Sequence, residues 1–174
     1  MRRWPGLTHL LPISIVVALA ALVVLLPAPS AAQAGGRAGL DPVERKVVKL
    51  VNRYRARHGR PRLRVSRGLS RVADRHSRDM AANGFLAHSS RNGTPAATRV
   101  RRSVGAAAVG ENLAFVSSGP RDPARRVVSM WIASAGHRQV MLSSSFRRIG
   151  LARRSGHLGG SRGTHYTADF ASRR

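Results

Sequence analysis

Cysteine is absent from this 174-residue chain. That excludes a disulfide scaffold and a thiol nucleophile, and it leaves any fold to stand on its apolar core. Acidic residues are almost as scarce, 7 Asp and Glu against 31 Lys and Arg, for a formal net charge of +24. Lysine is rare too, Lys46 and Lys49 being the only two, so the charge is carried by arginine. Aromatic residues make up 5% of the chain. Scattered arginines with so few aromatics offer no stacking platform for single strands, so nucleic acid is not a favoured partner. The many serines include none in a Gly-x-Ser-x-Gly elbow, which removes the commonest local signature of an activated hydroxyl.

The one long apolar run lies near the start. Arg2 and Arg3 precede a stretch from Leu10 to Leu26 broken only by Pro12 and Ser14, and Ala32-Gln33-Ala34 follows as a small-x-small cleavage pattern. This is the architecture of a secretory signal peptide over residues 1–34, with an uncleaved membrane anchor as the alternative. Residues 35–40 read as a flexible lead-in and 41–174 as one domain, long enough to bury a core. Loss of the signal leaves 29 basic residues against 7 acidic ones, a net +22. Such a surface attracts polyanions, anionic lipid or an acidic envelope polymer among them, unless the arginines are merely compositional. No stable transmembrane segment is expected after processing.

Asp41-Pro42-Val43-Glu44 combines an N-cap, a proline at the first helical position and a glutamate three after the cap. It predicts a helix over 42–58, with Val43, Val47, Leu50, Val51 and Tyr54 on one stripe. A second helix is predicted from Ser66 to Asn83-Gly84, burying Leu69, Val72, Ala73, His76 and Met80. Asp122-Pro123 starts a third, with Val127, Val128 and Trp131 as its apolar face. Beyond it the pattern turns short and alternating. Ile149 to Ala152 and Thr164 to Phe170 read as strands around a long glycine-rich loop, Gly156 to Gly163, and a further strand is expected near Asn112 to Val116. Helices first and a hairpin last suggest α+β.

Six segments occur in a fixed order: Asn83-Gly84-Phe85-Leu86-Ala87-His88, Gly110-Glu111-Asn112, Val127-Val128-Ser129-Met130-Trp131, Ser134-Ala135-Gly136-His137-Arg138, Phe146-Arg147-Arg148-Ile149-Gly150 and His165-Tyr166-Thr167-Ala168-Asp169-Phe170. Together, from about Val47 to Phe170, they resemble the CAP superfamily of cysteine-rich secretory and pathogenesis-related proteins, in its bacterial branch. The resemblance implies a three-layer α-β-α sandwich with a mainly antiparallel central sheet, and a cleft of two histidines and two acids that binds a divalent metal in some members.

Residue by residue, the resemblance puts His88, Glu111 and His165 in that cleft. Ser134 stands where many relatives carry the second acid, three residues after the helix tryptophan. His137 belongs to a bacterial signature and either lines the same cleft or pins its loop. His88 and His165 are the implied metal ligands, zinc suiting imidazole and carboxylate, with Glu111 a ligand or the group that orients one. Losing one carboxylate weakens such a site. His76, on the buried helix stripe, reads as a core histidine. Fold does not dictate reaction. The expected function is binding of a lipid or cell-envelope component outside the cell, and the alternative is a metal-assisted, protease-like extracellular hydrolase with Glu111 as base.

Overall fold

A computed structural model of the chain describes residues 39–173. The signal segment 1–34 and the first part of the lead-in lie outside the described residues. The elements in order are α1 (Pro42–Arg57), β1 (Arg64–Val65), α2 (Arg67–Asn83), α3 (Ala96–Val104), β2 (Val109–Ser117), α4 (Pro123–Ala133), α5 (Ala135–Leu142), β3 (Arg148–Leu158) and β4 (Ser161–Ala171). Among the described residues no helix is long and apolar enough to cross a membrane.

The helix starts are where the caps put them. Asp41 accepts from the Glu44 amide and Glu44 accepts from the Asp41 amide, a closed capping box for α1. Ser66 caps α2 and Gly84 ends it in the left-handed region at φ 64°. Asp122 caps α4 ahead of Pro123. Two further helices emerge that the pattern did not announce, α3 and α5. α5 begins directly after α4, with Ser134 serving as its N-cap.

The strands form one sheet in the order β1-β3-β4-β2. The β3–β4 and β4–β2 pairings are antiparallel, but β1 joins β3 in parallel, so the sheet is mixed with one parallel edge. The expected long loop between β3 and β4 is not there. Both strands run eleven residues and close through Gly159-Gly160, at φ 53° and 81°, a left-handed pair that glycine adopts without strain. The outer glycines serve packing instead: a Cβ on Gly156 would lie 2.7 Å from the Ala81 carbonyl oxygen on α2.

One face of the sheet carries the main core, where Tyr166, Ala168 and Phe170 of β4 meet Val47 and Val51 of α1, Val127 and Trp131 of α4 and Met141 of α5. Burying each large apolar side chain there is worth about 1.5–3 kcal/mol. The Trp131 indole donates to the Leu113 carbonyl at 2.8 Å, so its N–H is buried with a partner. On the other face α2 lies against the sheet, with α3 beside it in a smaller cluster of Leu69, Val72, Val100 and Val104. This is a three-layer α+β architecture.

Candidate functional site

Strand β2 forms the edge of the sheet, and its residue Glu111 lies directly opposite Asp169 of β4. The Glu111 side chain is 2% exposed, and both of its oxygens are engaged. Oε1 accepts from His88 Nδ1 at 2.8 Å, and Oε2 accepts from a terminal nitrogen of Arg99 at 2.5 Å. Arg99 comes from α3, and His88 from the connection between α2 and α3. That connection owes its course largely to Arg99, whose Nη1 donates to the carbonyls of His88 at 2.8 Å and Thr94 at 3.1 Å and to Ser90 Oγ at 3.3 Å. His76 of α2 pins it from beneath, donating from Nε2 to the Ala87 carbonyl at 2.9 Å. A buried carboxylate is tolerable only when paired and hydrogen-bonded, and Glu111 meets both conditions.

Asp169 is fully buried, and neither of its oxygens finds a donor among the described residues. Burial first, and the charge of Glu111 second, push its carboxyl well above the usual carboxylate range. Kept protonated, it has an O–H to give to Glu111. The hydrogen bond to Glu111 raises the His88 imidazole above its ordinary value, while burial holds His76 below it. His137, at the start of α5, is held below its ordinary value by burial and then by the charge of His88. A hollow of about 600 Å³ adjoins Arg99, walled by Arg75, His76, Asp79, Ser90 and Arg91.

The expected residues thus divide. His88 and Glu111 are hydrogen-bonded to each other, and the backbone of His137 is tied to Asn112, the residue after Glu111. Ser134 is spent on the α5 cap, its hydroxyl accepting from the His137 amide at 3.5 Å. Asn112 fastens the same turn, donating to the His137 carbonyl at 3.1 Å. His165 stands elsewhere: its partner across the sheet is Phe115, four residues along β2 from Glu111, or about 13 Å at 3.3 Å per residue. There it is fully buried, gives its Nε2–H to the His157 carbonyl at 3.0 Å and packs edge-on against the Phe115 ring at 4.9 Å.

The implied metal set does not fit this arrangement. His88 and His165 do not converge, Glu111 already holds a guanidinium and an imidazole, and among the described residues no group of three or more His, Asp or Glu is placed to hold an ion. Arg99 and Asp169 were not singled out beforehand. Arg99 is one arginine among many, and the only clue to Asp169 was its place in the last of the six segments, since its role rests on a strand register that no local pattern encodes.

The sequence and the fold both have counterparts among known proteins. A protein of Bacillus subtilis, YkwD, is 33% identical over 109 residues, which is 62% of this chain and 41% of that protein. The B. subtilis membrane protein YlbC is 29% identical over 132 residues, covering 75% of this chain and 34% of its own. The chain therefore spans less than half of these relatives. Among solved structures, an extracellular SCP-domain protein of Bacillus anthracis superposes with a TM-score of 0.62 at 26% identity, over 78% of this chain and 45% of that one. An outer surface protein of Borrelia burgdorferi reaches 0.65 at 18% identity, over 76% and 93%. The family description that fits the sequence covers residues 48–170, from within α1 to the last residue but one of β4, and so takes in the cleft, nearly all of the sheet, most of α1 and the other four helices. Despite having no cysteine of its own, the chain belongs to the cysteine-rich secretory protein family, the CAP domains.

Proposed function

We propose that this CAP domain works outside the cell as a binding module, its β2-edge cleft taking the polar group of a lipid or cell-envelope component without turning it over. The observation that carries the reading is the double commitment of Glu111. A general base must be reachable by the group whose proton it takes, and the Glu111 side chain is only 2% exposed. Here one oxygen is held by Arg99 and the other by His88, and the second acid, Asp169, is buried and biased toward its neutral form. What the cleft does offer is a fixed frame. The His88 side chain is 61% exposed and oriented through Nδ1, which leaves Nε2 for a ligand. Such a frame suits a ligand group that both donates and accepts, a hydroxyl or an amide for instance.

The test is titration of the purified protein with anionic and zwitterionic phospholipid vesicles and with soluble peptidoglycan fragments, repeated for His88→Ala. At least one probe should bind, and His88→Ala should weaken it by about tenfold, the cost of one good hydrogen bond. The circular dichroism spectrum should not change. Unaltered affinity for every probe, or hydrolysis of a peptide substrate that depends on Glu111, would overturn the reading.

A further inference from the structure

At the opposite edge of the sheet the structure brings together two arginine runs that are far apart in the chain. β1 pairs with β3 so that Arg64 lies opposite Arg148, and Ala171 at the end of β4 lies on the other side of Arg148. Leu63 is 4% exposed and turned inward, so Arg62 and Arg64 on either side of it face out. The result is a groove of about 990 Å³ walled by Arg62, Arg64, Arg147, Arg148 and Arg173, with Pro61 and Leu63 as the other lining residues.

We propose that this groove binds a linear phosphodiester polymer without nucleobases, independently of the β2-edge cleft. Four observations support it. First, among the described residues none of the five arginines is in an ion pair, whereas Asp41, Asp74, Glu111 and Asp122 are all engaged by basic side chains elsewhere. Second, part of the donor array is already held in place. Arg147 donates to the Ser144 and Phe146 carbonyls and Arg148 to the Ser172 carbonyl, while Arg148 Nη2 is buried with no partner. Third, the local charge is high enough to be felt by a neighbour: burial first, then the charges of Arg147 and Arg60, hold the guanidinium of Arg55 below its ordinary value.

The fourth observation is what the wall lacks. Guanidinium forks match the paired oxygens of a phosphate. The lining has no hydroxyl or amide side chain to meet the hydroxyls of an acidic sugar, and no aromatic ring on which a base could stack. A concave wall also follows a chain better than it follows a flat bilayer. Three strand spacings, about 14 Å, separate the β1 and β2 edges, so the groove and the cleft can be occupied separately.

The experiment is anisotropy titration with labelled poly(glycerol phosphate) across a salt series, with polygalacturonate and oligothymidylate as competitors. Arg62→Gln/Arg64→Gln/Arg173→Gln removes three exposed arginines of the groove. It should weaken binding by roughly tenfold or more and lower the slope of log affinity against log salt by about 2, three phosphates at ~0.7 each. A charge-matched control, Arg57→Gln/Arg101→Gln/Arg102→Gln, should weaken binding no more than about threefold, through the general field alone. His88→Ala should have no effect. Equal losses in the two triple variants, a competitor that displaces the polymer as well as unlabelled poly(glycerol phosphate) does, or loss of polymer binding in His88→Ala would each overturn the proposal.

Discussion

Strand β4 carries Tyr166, Ala168 and Phe170 on one face and His165, Thr167 and Asp169 on the other, and all six are fully buried. The first face is stabilised in the ordinary way, by apolar surface removed from water against α1, α4 and α5. The second lies against α2 and has to be satisfied group by group. Thr167 takes a hydrogen bond from Ser77 at 2.8 Å, His165 finds the His157 carbonyl, and Asp169 is pushed toward its protonated form by burial and by the charge of Glu111. Alternation of apolar and polar residues thus marks two kinds of interior here rather than an inside and an outside. The apolar face supplies stability. The polar face seats Glu111, and with it the cleft.

The difference can be broken most severely from the apolar side. Trp131→Ala removes a fully buried indole and its hydrogen bond, and should cost about 4 kcal/mol in urea unfolding. The hydrogen bond between His88 and Glu111 should stay intact until the variant unfolds as a whole. A loss of stability below about 1 kcal/mol would mean that the core repacks freely around the site.

The polar face is probed more finely by Asp169→Asn, which keeps the shape and supplies a permanent donor. The folded-state value of Asp169 is raised, so the native protein holds a proton that the unfolded chain has already released. Its contribution therefore favours folding at low pH and declines as pH rises from about 4 toward the raised value. Unfolding midpoints measured across this range should be flatter with pH in Asp169→Asn, and at neutral pH the variant should be at least as stable as the parent. A variant that is less stable at neutral pH would show that Asp169 is ionised in the native state.

The smallest effect belongs to His88. Its folded-state value is raised by the bond to Glu111, so the stability it adds is fully present below about pH 6.5 and is lost as pH rises through the folded value. Because the side chain is 61% exposed, the contribution is under about 1 kcal/mol. His88→Gln should remove that small dependence, and an NMR titration of the parent imidazole should show the upward shift directly. An unshifted midpoint would mean that the hydrogen bond does not persist in solution.

Much of this was legible where a single residue type carries a local mechanism. The Asp41-Pro42 and Asp122-Pro123 starts and the Gly84 stop placed three helices within a residue or two. The α3 helix escaped because Pro95 provides no side-chain cap and only Val100 and Val104 mark its buried stripe. The α5 helix escaped because Gly136 in its first turn reads as a loop. Glycine misled again in the β3–β4 hairpin, where Gly156 and Gly163 are close-packing positions and only Gly159 and Gly160 turn the chain. At the site, His88 and Glu111 were recognisable from their segments. His165 shared the last segment but not the cleft, since strand register carries it well along the sheet from Glu111.

The two-residue strand β1 has a consequence for how copies of this protein meet. An open sheet edge invites a second molecule to continue it, and natural proteins blunt such edges with short strands and charge. Here the outermost strand is as short as a strand can be, both of its residues are exposed, and Arg62 and Arg64 stand along it. Two such edges brought side by side would set arginine against arginine, and no acid is among the described residues that line the groove at this edge. The arginines along β1 thus oppose the edge-to-edge pairing that an open sheet edge invites.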